Sequence, residues 1–308
     1  MKHAAKNKDV QVVIVGSIGL DTIETPREKR VELLGGSVSY ACATASFFAS
    51  TGMVGIVGTD FPARHIALYR KFGIDLRGLV REPGRTFRWS GVYDADMINR
   101  RTLSTELNVF EKFSPELPES YRDAPFLLLG NIAPSLQLHV LDQIRKPRFV
   151  VADTMDLWIN IARDPLQDVI RKVDMLMLND GEARLLTGVF NLRQCAAKIM
   201  SWGPSHVVIK KGEHGAMLFS RDKLFIVPAY PVEAVRDPTG AGDSFAGGFL
   251  GTLARSGRTD ARSIRAALLY GSVVASFGVQ DFGLARLAKL TGADIESRVA
   301  ELKSMMRV

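Results

Sequence analysis

The densest chemistry in the chain lies in one stretch, Asp237-Pro238-Thr239-Gly240-Ala241-Gly242-Asp243-Ser244-Phe245-Ala246-Gly247-Gly248-Phe249. Gly240, Ala241 and Gly242 carry almost no side chain, so their backbone N–H groups can approach a ligand closely. The run of small and apolar residues that follows, through Ala254, predicts a helix. Its positive dipole end would point at the same place, which makes an anion hole suited to phosphate. Asp243 at the helix start can cap the helix or face the ligand. In the second role it would accept the proton of an attacking hydroxyl, the task of a base in phosphoryl transfer. Gly-x-Gly-Asp alone also suits a plain glycine turn with an aspartate N-cap. The length of the whole stretch favours chemistry.

The elements that would position this loop follow from periodicity. Residues 10–15 are a β-branched run ending in Gly16-Ser17-Ile18-Gly19, a buried first strand. Gly35-Gly36 turns into a predicted helix over 37–51, followed by a strand at 54–57 and a helix at 62–72 closed by Gly73. Further strands are predicted at 126–129, 149–152, 175–178 and 207–209, with helices at 135–144, 166–172, 181–186 and 193–201. This alternation argues for a mainly parallel sheet covered on both faces. One region is out of keeping. Around residues 85–113, two period-2 segments joined by a polar loop predict an antiparallel hairpin, which would serve as a flap or lid.

Bulk properties narrow the classes. The chain has 308 residues, 46% apolar and 24% charged, enough for a large core. Its net charge is +7, but the lysines and arginines are scattered, with one basic cluster in residues 1–8. A basic surface without a patch fits an anionic small molecule better than nucleic acid. The longest weakly polar stretch, residues 266–279, is short of the roughly 20 residues a membrane helix needs and reads as a buried helix. No signal peptide is visible, and two distant cysteines, Cys42 and Cys195, fit buried positions in a reducing, cytoplasmic protein. The five histidines show no metal spacing.

Four segments together resemble the ribokinase-like (PfkB) carbohydrate kinases. Residues 237–249 are similar to that family's C-terminal signature. Gly35-Gly36-Ser37-Val38-Ser39-Tyr40, running on to Gly55-Ile56-Val57-Gly58-Thr59-Asp60, resembles its N-terminal signature. Asn179-Asp180-Gly181-Glu182 matches its N-x-x-E motif, and Lys210-Lys211-Gly212-Glu213-His214-Gly215 resembles the segment that borders the nucleotide.

The resemblance implies a single ribokinase-like domain over residues 1–308. Its fold would be a three-layer α/β/α sandwich with a mainly parallel sheet, and a small β lid inserted at about 20–34 and 86–109. It implies transfer of the γ-phosphate of ATP to a hydroxyl of a small sugar-like acceptor. Asp243 would be the base, and Gly240, Ala241 and Gly242 the anion hole. Asn179 and Glu182 would organise Mg²⁺ through water, a carboxylate suiting a hard cation. Lys210, Gly212 and Gly215 would border the nucleotide. Asp21, Gly35, Gly36, Tyr40 and the lid residue Arg88 would meet the acceptor, and Asp237 with Thr239 would form part of a monovalent-cation (K⁺) site. Trp89 competes with Arg88, because neighbours in a strand face opposite ways.

Ribokinase proper carries sugar-contacting asparagines at the positions aligned with Gly19 and Tyr40, and their loss here weakens the case for ribose itself. A nucleoside or an inositol is an alternative acceptor, and a non-catalytic sensor on the same fold a weaker alternative function. A Rossmann dehydrogenase is set aside because Gly16-Ser17-Ile18-Gly19 lacks the G-x-G-x-x-G spacing, and a P-loop enzyme because the chain has no Gly-Lys pair. The acceptor segments, residues 16–21 and 35–40, hold no Lys or Arg, which predicts an unphosphorylated acceptor. An exposed lid sheet would favour a homodimer through lid contacts.

Overall fold

The computed structural model describes residues 9–97, 100–221 and 223–306. The basic stretch at residues 1–8 lies outside them. In chain order the elements are β1 (Val12–Val15), β2 (Gly19–Glu24), β3 (Lys29–Gly35), α1 (Ser37–Ala45), β4 (Thr51–Gly58), α2 (Ala63–Lys71), β5 (Asp75–Glu82), β6 (Phe87–Tyr93), β7 (Arg100–Glu106), β8 (Phe126–Leu129) and α3 (Pro134–Leu141). They continue with β9 (Phe149–Asp153), α4 (Asp156–Ile161), α5 (Arg163–Lys172), β10 (Met175–Asn179), α6 (Asp180–Thr187), α7 (Leu192–Met200), β11 (His206–Lys210), β12 (Ala216–Ser220), β13 (Lys223–Val227), α8 (Ala241–Ser256), α9 (Ala261–Gly278) and α10 (Gly292–Met305).

The apolar strands form one sheet in the order β13-β12-β11-β10-β9-β8-β1-β4-β5. The strands from β11 through β5 pair in parallel, and the β12–β13 hairpin is added antiparallel at one edge. Because side chains alternate along a strand, each buried strand feeds two cores. Val12 and Ile14 pack with α1, α8, α9 and α10, while Val13 and Val15 pack with α3, α5, α6 and α7. The result is a three-layer α/β/α arrangement with continuous apolar runs such as Val-Val-Ile-Val at its centre.

Helix α8, which carries the loop of interest, lies between α1 and α9. The close approach is made by its small residues. A methyl group on Gly247 would sit 2.1 Å from the Ala41 carbonyl, and one on Gly251 would sit 2.6 Å from that of Ala45. This fixes the start of α8 relative to the start of α1.

A second sheet, in the order β3-β2-β6-β7, stands beside the first. It is joined to the loops near α9 by a small apolar cluster of Ile23, Tyr93 and Phe282, with Leu33, Trp89 and Met97 against it. Its edge strand β7 is exposed along its whole length.

Several boundaries differ from the sequence reading. Helix α1 stops at Ala45, and Thr51 already belongs to β4. The strands β5, β12 and β13 were not expected. β5 and β13 lie on the edges of the main sheet, so their burial is partial and their alternation is broken by polar side chains. Both cysteines are buried. No helix among the described residues is long and apolar enough to cross a membrane.

Candidate active site

Three adjacent parallel strands end in polar residues: β9 in Asp153, β10 in Asn179 and β11 in Lys210. Strand register places Asn179 beside Lys210 and Met177 beside Asp153. The carboxyl ends of such strands border the crevice in which open α/β sheets bind ligands. Nζ of Lys210 donates to Oδ2 of Asp153 at 2.7 Å, and both side chains are largely buried. Burial works against the Lys210 charge, but Asp153 and Glu182 outweigh it and hold its pKa above the ordinary value.

Helix α8 opens onto the same place. Its N-cap is Gly240, at φ 73°, where a methyl group would fall 2.3 Å from the ring of Tyr40. Glycine is needed there twice over, for the left-handed backbone and for the space. The N–H of Ala241 donates to the Pro238 carbonyl at 3.2 Å, which closes the turn. That N–H is therefore spent within the turn, so it is not one of the three free donors expected at Gly240, Ala241 and Gly242. The N–H groups of Gly242 and Asp243 belong to the first helical turn, where the helix itself offers no partner, and that of Asp243 reaches its own carboxylate. A methyl on Gly242 would meet Lys210 Nζ at 3.0 Å, so the lysine ammonium overhangs this turn.

Asp243 occupies the third position of α8 and is half-buried. Burial, with Asp153 adding to it, raises its pKa to about 6, against the opposing charges of Lys210 and Arg100. It therefore holds a proton far more readily than a surface carboxylate, yet is ionised at neutral pH.

Asp21, on β2, is buried, and the main chain of Gly35 makes room for it: a methyl on Gly35 would lie 1.9 Å from Oδ2. Gly36, at φ 89°, is the N-cap of α1. Burial, then the nearby charges of Asp237 and Asp243, push the Asp21 carboxyl up to about 8. Its Oδ1 and the hydroxyl of Tyr40 are both buried with no hydrogen-bond partner. Tyr40 does not offer an open ring face. The ring packs on Gly240, and only the hydroxyl end lies among Asp237, Asp21, Tyr93 and Asp243.

Asp237 is a clasp. Oδ1 accepts the Thr239 N–H at 2.9 Å and Oδ2 the Gly283 N–H at 3.1 Å, tying the loop before α8 to the loop after α9. The hydroxyl of Thr239 meets that of Tyr93, on β6, at 3.0 Å.

The N-x-x-E segment builds a capping box for α6. The Asn179 side chain accepts from the Glu182 N–H at 2.8 Å, and Glu182 Oε2 accepts from the Asn179 N–H at 2.7 Å. Burial raises the Glu182 pKa to about 7, with Lys210 opposing and Asp153 and Asp156 adding. One Glu182 oxygen is committed to the cap, and the other is left for a cation or its water. Among the described residues no three His, Cys, Asp or Glu side chains form a ready metal cage. This donor set fits Mg²⁺, which keeps several waters and leans on phosphate oxygens. Gly212 and Gly215, both at positive φ, form the turn between β11 and β12, next along the chain from Lys210.

Arg88 does not join the others. β2 and β6 pair with Asp21 opposite Trp89 and Leu20 opposite Arg88, so Arg88 lies on the face of the small sheet opposite Asp21. Its guanidinium pairs with Asp60 at 3.0 Å and Glu32 at 3.4 Å. Arg101, opposite Val92, shares that face. Arg100, opposite Tyr93 and 5.9 Å from the Trp89 ring, lies on the site face. Register across paired strands decided this, and a single strand could not reveal it. Asp153 and Tyr93 were also missed. The one signal for Asp153 was an acid closing the apolar run Phe149 to Ala152.

The pattern of the pfkB family carbohydrate kinases matches residues 11–289. The chain belongs to that family. Among pfkB relatives, the cytidine kinase of Thermococcus kodakarensis is 30% identical over 253 residues, covering 80% of this chain and 89% of the relative. The nucleoside kinase of Burkholderia thailandensis, solved with inosine, superposes with a TM-score of 0.76 at 21% identity, covering 94% of this chain and 97% of the other. An E. coli protein assigned as ribokinase II, solved with ATP and Mg²⁺, gives a TM-score of 0.76 at 22% identity, covering 95% of this chain and 99% of the other. The pfkB assignment makes this chain an ATP-dependent kinase of the sugar and nucleoside class.

Proposed function

We propose that the chain transfers the γ-phosphate of ATP to a hydroxyl of an unphosphorylated, sugar-like acceptor held between Asp21, Gly35, Gly36 and Tyr40. The carrying observation is the meeting of two half-sites. Asp243, its pKa raised to about 6, stands at the first turn of α8. Facing it are two buried acceptor-side oxygens, Asp21 Oδ1 and Tyr40 Oη, with no protein partner. Buried polar atoms without partners are costly, and hydroxyls of a bound acceptor satisfy them.

In this reading Asp243 takes the proton as the acceptor oxygen attacks phosphorus. The N–H groups of Gly242 and Asp243 hold the transferring phosphoryl oxygens, Gly240 shapes the turn and Ala241 closes it. Lys210 neutralises charge on the phosphate side, and Gly212 and Gly215 border the nucleotide. Asn179 and Glu182 would hold Mg²⁺ through water, and the ion when bound would shield the phosphate charge. A monovalent cation beside Asp237 and Thr239 is a companion proposal, tested by the K⁺ dependence of kcat. The small sheet acts as a lid, a second copy pairs through its exposed strands, and the protein works in the cytoplasm.

A nucleoside acceptor is the second reading, favoured by the cytidine kinase relative over most of both chains. ADP release with sugars, inositols and nucleosides, each against its monophosphate at fixed ATP and Mg²⁺, tests both. A preference for a monophosphate that is lost on Arg100→Ala would show that the lid supplies a phosphate site and that the acceptor reading is wrong.

A further inference from the structure

We infer that Lys210 is a catalytic residue of phosphoryl transfer, acting on the phosphoryl group in transit, and that Asp153 is its positioning residue. The inference rests on the kinase reading of the site and adds two roles to it.

The geometry is specific. Lys210 ends β11 and Asp153 ends β9, with β10 between them. The lysine reaches across β10 to Asp153 at 2.7 Å. Its ammonium also stands 3.0 Å from where a methyl on Gly242 would project, so it overhangs the first turn of α8. Asp153 is fixed in turn. One oxygen accepts the Thr154 N–H at 2.9 Å, and its carbonyl accepts from the buried amide of Gln137 at 3.0 Å. A lysine side chain is long and free to rotate, and one carboxylate on a rigid strand end limits it to a single direction. Here that direction is the anion hole.

The pair also explains why the lysine stays charged. Buried lysines readily lose their proton, and Asp153 with Glu182 prevents it. The ammonium is thus a pre-organised cation within reach of phosphoryl oxygens held by Gly242 and Asp243. Preset charge of this kind favours the transition state most, because charge on those oxygens redistributes as the bond to ADP breaks and the bond to the acceptor oxygen forms. The proton released goes to Asp243. Lys210 keeps its own protons throughout.

Lys210→Met should lower kcat ~10²–10³-fold, the usual loss for one charge-stabilising group, with the KM for ATP changed only a few-fold. Removing one member of a buried pair endangers the fold, so the deciding variant is Asp153→Asn/Lys210→Met, which leaves neither charge unpaired. It should match the wild-type Tm and keep the low kcat. Asp153→Asn alone should lower kcat ~10-fold and move the acidic limb of the kcat–pH profile to lower pH, because a charge that raises the Asp243 pKa is gone. Lys210→Met should move that limb to higher pH.

A double variant with wild-type kcat would overturn the inference and show a structural ion pair. A raised KM for ATP at unchanged kcat would also overturn it, in favour of nucleotide binding. A wild-type protein without acceptor-dependent ADP release would instead overturn the kinase reading beneath it.

Discussion

The hydroxyl of Tyr93 lies 3.0 Å from that of Thr239, joining the small sheet to the loop that leads into α8 across 146 positions of chain. The Ile23–Tyr93–Phe282 cluster adds an apolar contact between the same sheet and the loop after α9. Tyr93→Phe keeps the apolar contact and removes the bond, worth about 0.5–1.5 kcal/mol. Backbone hydrogen exchange over residues 86–109 should become faster and kcat should fall several-fold. ATP and acceptor together should slow that exchange in the wild type. Equal protection with and without ligands would remove the lid assignment.

Asp243→Asn should keep the fold and the affinity for both substrates while losing about 10²–10⁴-fold in kcat, since the amide cannot take the proton. In the wild type, kcat should fall as pH drops through about 6, where Asp243 becomes protonated. A variant with near wild-type turnover, or a rate flat from pH 7.5 to 5, would assign the base elsewhere.

Gly240→Ala should destabilise the protein by about 1–3 kcal/mol or more. Its backbone is left-handed, at φ 73°, and the new methyl would sit 2.3 Å from the Tyr40 ring. Trimming the ring with Tyr40→Leu relieves the clash and leaves the backbone strain, so the double variant should recover only part of the lost Tm. Full recovery would mean that the ring alone demanded glycine.

Asp21→Asn should raise Tm near neutral pH while abolishing acceptor affinity. The Asp21 carboxyl is raised from 3.8 to about 8 in the folded protein. The unfolded chain ionises it freely, so the wild type carries a penalty that is absent below pH 3.8, grows with pH and levels off above about 8. Near pH 7 this is on the order of 2–4 kcal/mol. The Tm gain of the variant should shrink as pH falls and vanish near pH 4. A gain that persists there would have another cause.

The amino-acid sequence by itself determined the local frame of the proposed phosphate end. A glycine-rich turn leading into a helix with an acid in its first turn is set by local backbone geometry, and it is the feature on which the proposed anion hole and base rest. It also determined the class of fold, because apolar strands such as Phe126–Leu129 are local runs bounded by local turns.

Tertiary structure decided which side chains meet. Arg88 and Arg100 lie close together in sequence, yet pairing with β2 and across β6–β7 sends them to opposite faces. Tyr40, legible as an aromatic beside the acceptor, became the wall under Gly240 because α8 packs close to α1 through glycines. The Asp153–Lys210 contact spans 57 positions. It exists because both strands pair with β10, Asp153 ending β9 opposite Met177 and Lys210 ending β11 opposite Asn179, so that the lysine can reach back across β10. Local sequence carries residue types and turns. Face, register and the meeting of distant strand ends belong to the sheet as a whole, and with them the burial, and after it the neighbouring charge of Asp153, that raise the pKa of Asp243.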